Sequence, residues 1–466
     1  MELSGTHLFL IFLTIAFVLG CGIYAARSVH SAEGYSLGGR SAGITLVTGS
    51  IAGTCVGGGA TIGTAQMAYT LGLSAWWFTI GTGISLILMG LFYARPLRRT
   101  SLETISQYLV LNYGKPAGTL TSIVSSLGIL FSAVASALPG IQMISVTLGI
   151  SSWAAATVLI LLVACYVFFG GMRSAGVGGI LKMIIVWISL FAAGLAAIYA
   201  LRTDAALQAA LPAFPWYSLG GNGISNAASS VLSLIVGMLC TQTYIQAIFS
   251  ASNPRTASIG AFMAALIVIP VGLPCAAIGM YMHAMQPDLQ PILVLPIYLL
   301  QYQPVWLGSI ALGGIILSII SSIAGLSLGI STMLSRDILG QLLKIADSQH
   351  LLRLNRITVL FVLLLASGIA IANEGSQVLF WNYLSMALRG GGIFLPLTLA
   401  VFAPGHANRS WILASMCIST LVSIAATFLN TAINPLFLGL GMSALLLIPA
   451  ILLAPPTEME IVDEEI

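Results

Sequence analysis

The stretch SAGITLVTGSIAGTCVGGGATIGTAQMAY, residues 41–69, decides how this chain is read. It carries no charge and is long enough to cross a bilayer. Seven glycines lie between Gly43 and Gly63, three of them consecutive (Gly57, Gly58, Gly59), with Thr54, Cys55, Thr61 and Thr64 around them. Each glycine costs a helix interior about 1 kcal/mol relative to alanine, so this density predicts a break inside the span. At membrane depth, unwound backbone survives only where protein or a watery cavity satisfies its N–H and C=O groups. Such a break offers free carbonyls and half-helix ends to an ion or a polar solute. The competing reading of the same glycines is a close helix–helix contact of the small-xxx-small kind.

The composition around this stretch sets the class. Of 466 residues, 58% are hydrophobic and 6% charged, against roughly 25% charged in soluble domains. The chain is therefore an all-α polytopic membrane protein, embedded in a lipid bilayer. We expect thirteen spans, at about 6–28, 41–69, 73–94, 118–149, 152–172, 179–201, 222–249, 257–285, 304–334, 356–373, 376–403, 410–431 and 435–454. The first has no basic region before it and reads as a retained helix, not a signal peptide. The longest polar loop is expected at Ser335–Arg356. The six cysteines lie in apolar segments without a C-x-x-C pair and give no disulfide or metal signal. None of the thirteen Asp and Glu falls inside an expected span, which argues against a membrane enzyme.

The basic residues orient these spans. Alternate loops on one side hold Arg27, Arg40, Arg95, Arg98, Arg99, Lys115, Arg173, Lys182, Arg255, Arg336, Lys344, Arg353, Arg356 and Arg409, and the other side holds only Arg202. By the positive-inside rule the N-terminus is outside and the C-terminus cytoplasmic. Ten spans divide into two groups of five, about 41–201 and 222–403. A five-helix unit starts on opposite faces in its two copies, so they are an inverted repeat. The second copy also opens on an interrupted helix, with Gly237, Cys240, Thr241, Gln242 and Gln246. An extra helix at 6–28, two more at 410–454 and an acidic cytoplasmic tail at 455–466 complete one membrane domain, residues 1–466.

Within 304–334, Ser318, Ser321 and Ser322 have i, i+3, i+4 spacing and share one face of one turn. Hydroxyls plus freed carbonyls suit a small hard cation. A membrane serine can instead bond its own i−4 carbonyl.

At this point the residues resemble a family, the sodium/solute symporters, which have the LeuT-type inverted-repeat fold. The resemblance rests on GYSLGGRS (34–41), GGGATIGTAQMAYTLGLSAWW (57–77), YVFFGGMRSA (166–175), TQTYIQAIFSASNPRTA (241–257) and SIISSIAGLSLGISTMLSRDIL (318–339). It implies a sodium site built from backbone carbonyls of Gly53, Val56 and Ser318 and hydroxyls of Ser321 and Ser322. It places the solute beside that ion, with Gln66, Trp76, Gln142, Gln242 and Gln246 as wall residues. For each glutamine an interhelical hydrogen bond is the plain alternative.

The chain departs from the family where many members carry a Thr-Asp pair that supports sodium binding. Here Gly178 and Gly179 stand at those positions, with Lys182 close by. The loss of the aspartate predicts one sodium per cycle. An ammonium reaching the cation site would make the carrier sodium-independent or proton-coupled. The plainer expectation is that Lys182, one turn into its helix, snorkels to the headgroups. Arg389, in YLSMALRGGGIFLPL, falls mid-span; such residues face a cavity and mark a pathway. Its fork matches a carboxylate, and the alternative is a brace to carbonyls of the broken helices.

The sequence therefore reads as a secondary active transporter, not an enzyme. It would import a small solute, such as an organic anion, with Na+ as coupling ion and no prosthetic group. It would sit in the plasma membrane (the inner membrane if bacterial), need no nucleic acid, and work as a monomer. A passive channel and a membrane sensor module are the rivals from other classes.

Overall fold

A computed structural model describes residues 4–27, 31–167, 171–345, 347–429 and 433–454. The acidic tail falls outside the described residues. Because hydrocarbon offers the backbone no partners, each apolar run closes its own hydrogen bonds as helix. The long helices are α1 (Gly5–Ala26), the broken pair α2 (Ile44–Cys55) and α3 (Thr64–Leu71), and α4 (Trp77–Leu88). After these come α5 (Lys115–Leu148), α6 (Ser152–Val167), α7 (Gly171–Thr203) and the pair α8 (Ile224–Leu239) and α9 (Gln242–Ser250). The chain ends with α10 (Pro254–Met285), α11 (Val305–Met333), α12 (Ser348–Ala372), α13 (Val378–Phe402), α14 (Arg409–Phe428) and α15 (Pro435–Leu452).

Among the described residues, ten helices are long and apolar enough to cross a membrane, or eleven if α8 and α9, bent by 50°, form one span. The expected thirteen is reached by dividing the continuous stretch Gly59–Arg99 at Gly72 and adding the 16-residue α6. Gly72 takes φ +67°, a value that favours glycine. The chain reverses there. Along α10, Gly260 packs on Val47 and Gly279 on Ala65 and Ala68, so α2 and α3 run parallel to it. Gly90, Gly83 and then Trp76 with Thr79 meet α10 in the opposite order, near Ser258, Ile269 and Gly272.

Two boundaries depart from the sequence reading. The loop expected at 335–356 is shorter, because a wide helical turn over Leu334–Leu339 extends α11 and α12 begins at Ser348. Helix α7 begins at Gly171, not 179, so Lys182 lies three turns inside it. Its glycines are packing contacts rather than loop residues. A Cβ at Gly179 would fall on the Gly49 carbonyl, and one at Gly178 on the Tyr166 ring.

The nearly wholly buried α11 holds the two broken pairs together. Val56 and Gly53 meet it at Ser318 and Ser321, in descending order. Thr243 and Gln246 meet it at Gly329 and Thr332, in ascending order. The broken pairs therefore run in opposite directions, as inverted repeats do. The start of one is tied to the end of the other: Ala42 N–H donates to Ser250 O (3.1 Å), and Ser252 N–H to Ala42 O (3.0 Å). Large apolar side chains such as Phe12, Leu161, Ile188, Leu266 and Phe361 stay exposed on the outer faces, where lipid would cover them.

Candidate functional site

The break expected among the glycines falls at Val56 (φ −84°, ψ 79°). Past it, Gly57 N–H turns to Cys55 O at 3.1 Å and not to the i−4 carbonyl of Gly53. The freed carbonyls point at α11. Ser321 Oγ donates to Gly53 O (3.2 Å), Ser322 Oγ to Thr54 O (2.8 Å), and Ser318 Oγ to Val56 O. Four of the five residues that the resemblance assigned to sodium, Gly53, Val56, Ser318 and Ser321, thus meet at one point, while Ser322 bonds Thr54 O beside them.

That point is filled by Lys182. Its Nζ donates to Gly53 O (2.5 Å), Val56 O (2.8 Å) and Ser318 O (3.1 Å), and stands 3.3 Å from Ser318 Oγ. The residue is fully buried. The snorkelling expectation fails because α7 starts two turns earlier than the hydropathy suggested, and its glycines bring its backbone against α2. An ammonium has three donors and no acceptor, and here three carbonyls meet them. A sodium ion would need these same oxygens, so it does not fit while Lys182 is seated.

Beside this cluster lies a small cavity of about 30 Å³, whose wall includes Phe78, Ser132, Ser136, Tyr244, Asn382 and Arg389. Arg389, 1% exposed, donates from Nε to Gly237 O (3.1 Å) and from Nη1 to Ser385 Oγ (2.9 Å). The brace to a broken helix is therefore real, and Arg389 also borders the cavity. No acidic residue lines that cavity among the described residues.

Both ends are shut. At one end Phe78 and Tyr383 stack edge to face (6.2 Å), and beyond Tyr383 a pocket of about 700 Å³ lies between α8, α13 and α15. At the other, Glu103 pairs with Arg336 (2.7 Å), and Asp337 accepts from Thr104 (2.8 Å) and Ser122 (3.2 Å).

The five expected wall residues lie outside the lining of this cavity. Gln66 Oε1 accepts from Val378 N–H (3.1 Å) at the start of α13, and Trp76 Nε1 donates to Ile269 O (2.8 Å). Gln242 Oε1 accepts from Ile105 N–H (2.8 Å) while its Nε2 donates to Glu103 O (3.0 Å). Gln246 Nε2 reaches Ser36 O (2.6 Å) and Thr332 Oγ1 (3.2 Å), and Gln142 is half-buried on α5. The sequence reading missed Ser132, Ser136 and Asn382. The signals were there: two serines at i, i+4 on α5, and an asparagine two turns before Arg389 on α13.

With this geometry in hand, the chain can be set beside known proteins. It is 27% identical to the high affinity choline transporter 1 of Homo sapiens, over 83% of this chain and 71% of that one. It is 25% identical to the high-affinity choline transporter 1 of Caenorhabditis elegans, over 83% and 72%. In structure it matches a Na+-coupled sialic acid symporter in a substrate-bound outward-open state, with TM-score 0.79 at 16% identity, covering 98% of both chains. A nucleobase-cation-symport-1 family transporter in a closed conformation matches with TM-score 0.57 at 12% identity, over 90% of this chain and 94% of that one. The fold is thus the LeuT-type helical bundle of a multi-pass membrane protein, and the family is one of transporters, not enzymes. Residues 35–419 match the sodium:solute symporter family, and the chain belongs to it.

Proposed function

We propose that the chain carries a small organic anion, most simply a carboxylate, by alternating access to the cavity between α2–α3, α8–α9 and α13. Family membership and the Na+-coupled structural neighbour support secondary transport of a small molecule. The observation that carries the anionic reading is Arg389. Arg389 borders the cavity, its bonds to Gly237 O and Ser385 Oγ use Nε and Nη1, and no acid shares the wall among the described residues. A carboxylate would accept from that fork. The charge distribution orients the Glu103–Arg336 end toward the cytoplasm and the N-terminus outside. We read a single copy as the transport unit, because the lining residues of the cavity all come from one chain.

A second reading comes from the choline transporters among the relatives. The rings of Phe78 and Tyr244 on the same wall suit a quaternary ammonium. Arg389 opposes it electrostatically unless the solute also carries a carboxylate. A thermal-shift panel of small carboxylates, betaine, choline, sugars and amides separates the readings, since a bound ligand raises apparent stability by mass action. Carboxylates, betaine included, should raise the melting temperature. A rise with choline alone, or only with neutral solutes, replaces the anionic reading.

A further inference from the structure

We infer that the Lys182 ammonium is the built-in cation of the cage between α2 and α11, so that this carrier works without sodium there. The inference goes beyond the proposed function and does not depend on which solute the cavity takes.

The cage is complete with the lysine in it. Gly53 O, Val56 O and Ser318 O each receive an N–H, and Ser318 and Ser321 add their own hydroxyl hydrogens to the carbonyls of Val56 and Gly53. A buried charge persists only when it is paired or fully hydrogen-bonded, and here carbonyl dipoles supply that role without any carboxylate. The reach of the side chain is also built in. One turn before Lys182, Gly179 sets the α7 backbone against Gly49 and Gly53, and a Cβ there would meet the Gly49 carbonyl. An aspartate side chain at position 179 would not fit that contact. Glycine at 179 therefore brings α7 close enough for the lysine to reach the carbonyls of Gly53 and Val56.

A second cation in this cage would stand within bonding distance of the ammonium, competing for the same oxygens in a low-dielectric site. The tethered cation can hold α2 to α11 as an ion would. Unlike an ion, it cannot leave with the solute, so a sodium gradient has nothing to drive at this place.

The test needs no solute. Purified wild type and Lys182→Ala are melted in sodium chloride and in potassium chloride at equal ionic strength, and radioactive sodium binding is measured on both. Wild type should melt alike in the two salts and bind no sodium above background. Lys182→Ala should gain a sodium-specific rise of about 2–4 °C, and adding Ser321→Ala should reduce it. Saturable sodium binding by the wild type overturns the inference. So does a folded Lys182→Ala that ignores sodium, because the cage would then be no cation site. If Lys182→Ala does not fold, the wild-type binding result decides alone.

Discussion

Arg336 and Glu103 lock one end of the cavity: Nη1 of the arginine stands 2.7 Å from Oε1 of a carboxylate that is only 6% exposed. Arg40 approaches the same carboxylate at 3.9 Å and pairs with Glu33 at 2.7 Å. Removing one partner of a buried pair leaves an uncompensated charge, so the closed form loses its advantage. Arg336→Gln, which leaves the buried carboxylate without its partner, should speed the reaction of Cys55, which borders the cavity, with a water-soluble thiol reagent by about fivefold. The assay uses a chain whose other five cysteines are replaced. An unchanged rate would mean that this pair does not gate.

The same carboxyl gives a pH signature. Burial lifts it above the usual carboxylate range, while the Arg336 and Arg40 charges pull the other way. The closed form therefore takes up a proton more readily than an open form in which Glu103 meets water. Acid favours closure, and the favour fades as pH rises through the lifted value. Cys55 labelling, corrected for the intrinsic pH dependence of the reagent, should slow on acidification in wild type and not in Glu103→Gln.

Gly179 tests the packing of α7 on α2. Gly179→Ala puts a methyl on the Gly49 carbonyl, and overpacking of this kind costs about 1–3 kcal/mol. Gly368→Ala on α12 meets nothing within 4 Å and should be neutral, or stabilising by up to about 1 kcal/mol. Melting temperatures of the two variants in one detergent check the contrast, and equal effects would contradict it.

Gln242 and Gln246 should behave as fasteners. Gln242→Ala strips partners from Ile105 N–H and Glu103 O, and an orphaned buried polar group costs about 1–3 kcal/mol. Both alanine variants should melt earlier and keep wild-type solute affinity. A weakened affinity with unchanged melting would return them to the solute wall.

The spans were legible because hydrocarbon forces any apolar run of about 20 residues into helix. The cage was legible for a related reason: Ser318, Ser321 and Ser322 repeat on one face, and the glycines before Thr61 announce a break. Lys182 was misplaced because glycine is read as a loop residue from hydropathy, whereas in a packed membrane helix it is a point of contact. For the glutamines, residue type alone cannot separate a hydrogen bond to a neighbouring helix from one to a solute. Their partners Ser36, Glu103 and Val378 lie 139 to 312 positions away in the chain. Arg389 announced itself by its charge, and its contact with Gly237 O required the fold.

Uptake into proteoliposomes tests the central claim about Arg389 most directly. Wild type and Arg389→Gln would be compared with labelled small carboxylates, betaine, choline and neutral amides. The account predicts that wild type takes up a carboxylate-bearing solute and that Arg389→Gln loses tenfold or more of that uptake, about 1.4 kcal/mol in transition-state terms. Transport of choline or neutral solutes alone by wild type, or undiminished carboxylate uptake by Arg389→Gln, would contradict it.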